Sequence, residues 1–197
     1  MITDPQRFAA TLARFDAANA QDPHREDGRP RELLYAERMT AMLKRFAPDA
    51  SEAVQLAVRA QHIQRWLTPR ASYPAGRQGY LRWRTGLYRF HADTAATIME
   101  ETGYDAATIA RVKAAVGKQG LKTNPETQLL EDVSALVFLE HYLAGFAAQH
   151  PDYDEAKWLD ILRKTWRKMS APAQAFVLAG QVRVPDALAP LIHKAVG

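Results

Sequence analysis

Apolar side chains in this chain recur every three or four positions and show no sustained apolar–polar alternation of period two, which leaves helices as its building material. Tyr35, Met39, Met42 and Phe46 stand at i, i+4, i+7 and i+11, a stripe one helix face wide. Glu37 falls opposite that stripe and is expected in solvent. Phe8, Leu12 and Phe15 mark a second stripe, and Leu136, Leu139, Leu143 and Phe146 a third. β-Branched residues are thin, while Ala, Leu, Arg and Glu dominate. The expected fold class is all-α, a single-domain helical bundle of about seven main helices.

Capping signals set the expected boundaries. Helices are predicted over 3–20, over 31–46 behind Pro30, and from an Asp49–Glu52 capping box to about Leu67, before Thr68-Pro69. The third of these is apolar nearly all round, so it belongs in the middle, and Gln61 and His62 on it need partners. Further helices are predicted from Tyr80 to Thr102, from Asp105 to Val116, from Glu126 to Gln149 and from Asp154 to Met169. Pro172 and Pro185 break the remainder.

The chain has 197 residues, 47% hydrophobic and 24% charged, a size and balance that suit one globular domain with a sizeable core. It has no cysteine, which removes disulfides, thiolate nucleophiles and thiolate metal sites. A reducing, cytoplasmic location fits. The N-terminus lacks the pattern of a secretory signal, and no run approaches a membrane span, so no membrane partner is expected. The net charge of +4 is modest, and its distribution is more informative.

Between Ala53 and Ala92 there is no acid and no lysine, yet there are seven arginines: 59, 65, 70, 77, 82, 84 and 89. Trp66, Tyr73, Tyr80, Trp83, Tyr88 and Phe90 stand among them. Arginine carries a planar fork that grips phosphate or carboxylate at two points and stacks on aromatic rings. Two readings follow: a site for an anionic, phosphorylated ligand, or pairing with Asp and Glu elsewhere in the chain. Helical spacing puts Arg59 one turn before His62, Trp66 one turn after it, and Arg84 two turns before His91.

His62, His91 and Asp132 fall on the inward faces of three predicted helices. Imidazoles and a carboxylate from facing helices suit a divalent Fe, Mn or Zn ion. Equally, buried histidines hydrogen-bonded to a carboxylate need no metal. Glu-x-x-His pairs of the diiron bundles, phosphate-binding glycine loops and a nucleophile elbow are all missing from the sequence.

The segments ELLYAERM, RAQHIQRWLTPR, YPAGRQGYLRWR, FHAD, LLEDVSALVFLEHYL and RKTWRKMS resemble those of a family known as domain of unknown function 4202, over nearly the whole chain. A second, partial resemblance is to the HD-domain phosphohydrolases, a helical superfamily that holds its metal with a His, a His-Asp dyad and a later Asp. Tyr35-Ala-Glu-Arg38-Met39 is similar to its first-helix segment, with Tyr35 where the first His stands. Gln61-His62 stands in place of the His-Asp dyad, and Asp132 matches the final aspartate.

The resemblance implies an HD-like bundle and a hydrolase of a phosphorylated small molecule or nucleotide. In it His62, His91 and Asp132 would hold the metal, Arg59, Arg65 and Arg84 would neutralise phosphate, and Tyr35, Arg38 and Gln61 would stand at the site. The alternative is a metal-free module on the same fold that grips a nucleotide or RNA through the arginine–aromatic stretch.

Overall fold

A computed structural model describes residues 2–185 and 188–196. Among them are ten α-helices, so the fold is all-α, and the chain forms two compact units, Met1–Leu130 and Glu131–Gly197.

The first unit holds α1 (Pro5–Asn19), α2 (Arg31–Phe46), α3 (Glu52–Ala60), α4 (Gly76–Glu101), α5 (Ala106–Val116) and the start of α6 (Pro125–Val137). Its centre is α3, which packs against α1, α2, α4 and α5. Ala53, Val54, Leu56, Ala57, Val58 and Ala60 are all buried there, as a helix apolar on every side requires. Met39 and Met42 of α2 and Ile63 after α3 complete that core; each large side chain contributes about 1.5–3 kcal/mol of burial.

Two details depart from the pattern read in the sequence, each for a local reason. The side chain that caps α3 is Ser51, which accepts from the Val54 N–H, not Asp49. Glu52 cannot complete a capping box because its carboxylate is engaged elsewhere, accepting from the Tyr104 hydroxyl at 2.5 Å and the Thr3 N–H at 2.8 Å. Helix α3 also stops at Ala60 rather than near Leu67. Gln64 turns left-handed there (φ 52°), and its N–H donates to the Asn19 side chain at 3.0 Å. That tertiary hydrogen bond outweighs helix propensity, so His62 sits in a tight turn and Arg65 opens a short 3-10 helix, Arg65–Leu67, rather than continuing α3.

Between α1 and α2 the polar loop closes a two-residue hairpin, with Arg25 opposite Pro30 and Glu26 opposite Arg29. Asp27 and Gly28 both have positive φ, the mirror-type turn that an Asp-Gly pair favours. Helix α4 begins at Gly76, a turn earlier than expected. Gly79 is needed there: a Cβ would lie 1.9 Å from the Pro74 carbonyl oxygen.

The second unit continues α6 through a π-helical turn, Phe138–Tyr142, into α7 (Leu143–Gln149), followed by α8 (Glu155–Trp166), α9 (Ala171–Leu178) and α10 (Ala189–Val196). The widened turn interrupts what reads in the sequence as one helix, yet Leu136, Leu139 and Leu143 are all buried as the spacing predicts. Trp158, Leu162, Met169 and Ala173 join them in the core, and α8 packs on α10. No described helix is long and apolar enough to cross a membrane.

Candidate functional site

The first unit gathers its chemistry where α2, the turn after α3, and α4 meet. Helix α2 supplies Glu32 and Tyr35, the turn supplies Gln61, His62 and Arg65, and α4 supplies His91. The His62 and His91 rings lie 5.8 Å apart between centroids, and Tyr35 stacks on His62 at 4.2 Å with the planes 11° apart. Tyr35, read as core, is therefore half-buried, serving as the outer cover of an imidazole. Gln61 is buried at the start of the turn.

Hydrogen bonds fix the tautomers. A carbonyl only accepts, so His91 Nδ1–H donates to the Ile63 carbonyl at 2.8 Å. Its other nitrogen, Nε2, then carries a lone pair, is buried, and has no hydrogen-bond partner. Guanidinium only donates, so Arg65 Nη1 donates to His62 Nε2 at 3.1 Å. The proton of neutral His62 is thus on Nδ1, 3.5 Å from Glu32 Oε2.

Burial dominates the electrostatics. Removal from water pushes the Glu32 carboxyl up to about 7, against the pull of the Arg65 and Arg31 guanidiniums. Burial, helped by His62, pushes His91 down to about 3. His62 is held well below its ordinary value by burial and by the positive charges of Arg65 and Lys118. At neutral pH both imidazoles are neutral, the form that ligates a metal.

Glu32 and Lys118 were not singled out from the sequence. Glu32 heads the same stripe as Tyr35 and Met39, and an acid at the head of a core stripe was a readable signal. Lys118, in the connector after α5, has a left-handed backbone (φ 58°) but no sequence feature that ties it to His62.

Asp132 belongs to the second unit. It is buried, and its carboxylate accepts from the Ser170 N–H at 2.8 Å and the Ser170 hydroxyl at 2.6 Å, while Ser170 itself caps α9. Among the described residues no three His, Asp or Glu side chains are grouped as a metal ion would need. The pair His62–His91, with Glu32 beside His62, comes nearest in the first unit.

The arginines do not converge on one point. Arg59 grips Asp16 with two bonds of 2.6 Å and donates to Thr40, which is the carboxylate reading of the stretch. Arg84 is held by the Tyr88 and Tyr80 hydroxyls. Arg38 pairs with Glu26 and Asp27, tying the hairpin to α2. Arg70 closes the Pro-rich loop by donating to the Tyr73 and Pro74 carbonyls, both at 2.9 Å. Arg65 lies at His62, its guanidinium 5.2 Å from the Trp83 ring, and its charge also acts on the buried Glu32 carboxyl.

No curated protein and no solved structure matches this chain. The family described as Domain of unknown function (DUF4202) matches residues 9–192, nearly its whole length, and the chain belongs to that family.

Proposed function

We propose that Glu32, His62 and His91 form the centre of a metal-dependent hydrolase acting on a phosphorylated small molecule or nucleotide. The observation that carries this reading is His91 Nε2: a buried lone pair with no donor, on a ring whose other nitrogen is fixed by a backbone carbonyl. Metal-ligating histidines are oriented in this way.

The neighbouring groups fit such a role. Two ligands about 2.05 Å from one ion and a tetrahedral angle apart lie about 3.3 Å from each other. The 3.5 Å between Glu32 Oε2 and His62 Nδ1 is close to that. Imidazole and carboxylate donors suit Fe, Mn or Zn. A divalent ion held by these side chains would supply a Lewis acid and a bound water of lowered pKa. The protein's own part is to hold the ligands, exclude water with the Tyr35 ring, and bring positive charge to the phosphate through Arg65 and Lys118. A shift of the His62 proton from Nδ1 to Nε2 would end its role as acceptor for Arg65 and release that guanidinium toward the anion. The partial HD-domain resemblance supports the reaction class, with Glu32 standing where that resemblance proposes Asp132.

The test is elemental analysis of protein purified without chelator and incubated with Fe, Mn or Zn, alongside release of inorganic phosphate from nucleotides and sugar phosphates. Near-stoichiometric metal is expected in the wild type, with strong loss in Glu32→Gln and His91→Ala. Full retention in Glu32→Gln would remove Glu32 as the carboxylate ligand. Less than about a tenth of an equivalent in the wild type under every condition ends the metal reading.

A further inference from the structure

One side of α4 is left without a purpose by the centre described above. At 3.6 residues per turn, Arg77, Leu81, Arg82, Thr85 and Arg89 share an arc of that helix, and all five are exposed. The row from Arg77 to Arg89 runs about 18 Å at 1.5 Å per residue. Among the described residues, no acid and no hydrogen-bond acceptor meets the side chains of Arg77, Arg82 or Arg89. The first acid along the helix, Asp93, is already paired with Lys113 at 2.9 Å. Without the seven arginines of the stretch, the rest of the chain would be net negative, so the basic character of the protein is concentrated here.

Aromatic surface borders the row. Tyr80 is 40% exposed, and its hydroxyl accepts from Arg84 at 3.1 Å, which restrains the ring before any partner arrives. Trp83 lies 5.8 Å from Tyr80 and is anchored by its indole N–H, which donates to the Thr68 carbonyl at 2.8 Å. Arg65 lies over the same indole. Leu67 and Leu81 are exposed nearby in sequence.

We infer that this face of α4 binds single-stranded nucleic acid. Forked guanidiniums at intervals along a rod match a row of phosphates. An exposed, restrained tyrosine offers a stacking surface that only an unpaired base can use, because duplex bases already stack on each other. An acidic membrane would satisfy the charge but has no use for the Arg84–Tyr80 arrangement.

The test is fluorescence anisotropy with a labelled single-stranded RNA of about twelve nucleotides, within the usual site size. The same sequence as a duplex and phosphatidylserine vesicles form the other arms. The wild type should bind the single strand more tightly than the duplex at about 50 mM salt. Arg77→Gln/Arg82→Gln/Arg89→Gln should weaken binding at least about tenfold and lower the log–log salt slope by about 2. Tyr80→Ala should cost about tenfold on the single strand and nothing on the duplex. Circular dichroism checks that the variants fold; Arg82→Gln alone replaces the triple variant if it does not. No RNA binding, binding indifferent to the arginines, equal binding of duplex and single strand, or binding to vesicles alone would each overturn the assignment. Metal content is a separate measurement, so the hydrolase reading stands or falls independently.

Discussion

A carboxyl buried beside two neutral imidazoles costs the fold something, and Glu32 is where that cost can be read. Its folded value of about 7 lies above the ordinary 4.5, so the folded state holds the proton more tightly. The contribution is fully present below about pH 4.5 and is lost as pH rises through 7. A shift of that size corresponds to about 3 kcal/mol. The imidazole of His91 works in the opposite sense. Its depressed value, about 3, gives stability that is present above pH 6.5 and lost as pH falls toward 3. In chelator-treated protein, Glu32→Gln should therefore raise stability to urea at pH 7.5 by up to about 3 kcal/mol and leave it little changed at pH 4. An equal effect at both pH values would show that the carboxyl titrates normally. A buried carboxyl whose titration is moved toward neutral pH is a common mark of a working site.

At the scale of elements, the decisive event is the early end of α3. Periodicity carries no information about where a helix stops when the stopping contact is a remote one, here the Asn19 side chain on the Gln64 N–H. The reading of Arg59, His62 and Trp66 as one helical stripe fails for that reason. The apolar stripes were legible: Met39, Met42 and Leu56 in the helices of the first unit and Leu136, Leu139 and Leu143 in the second are buried as their spacing predicts, and Ile63 is buried although it lies beyond the end of α3. Asp132 was legible as a buried acid, but its partner, Ser170, lies 38 residues on, and spacing cannot name it. Arg59 was legible as needing something negative; Asp16 proves to be that group. Arg59 has 12% of its side chain exposed and Asp16 32%, so Arg59→Met strands a half-covered carboxylate. It should lower urea stability by about 1–3 kcal/mol, less than a fully buried pair would. The thermal shift given by pyrophosphate should survive the change, since Arg65 remains. Loss of that shift with unaltered stability would return Arg59 to the anion site.

Across the whole molecule, the centre in the first unit draws on residues far apart in the chain. Glu32 and His62 are separated by roughly thirty positions, and His62 and His91 by about as many. Neither local helix formation nor one helix pair can assemble them; α2, the turn after α3 and α4 must all be in place. Closing loops of that length carries an entropy cost that is recovered only when the long-range contacts form. The proposed centre is therefore expected to form only together with the packed unit. If the proposed centre holds a metal, its release in urea should coincide with loss of helical ellipticity, at one midpoint. An earlier release would place a locally unfolding segment at the site, with the Gln64 turn the first place to look. Where the site and the fold fail together at one midpoint, a mutation anywhere in the core of that unit would register in a cell as lost abundance before it registered as lost chemistry.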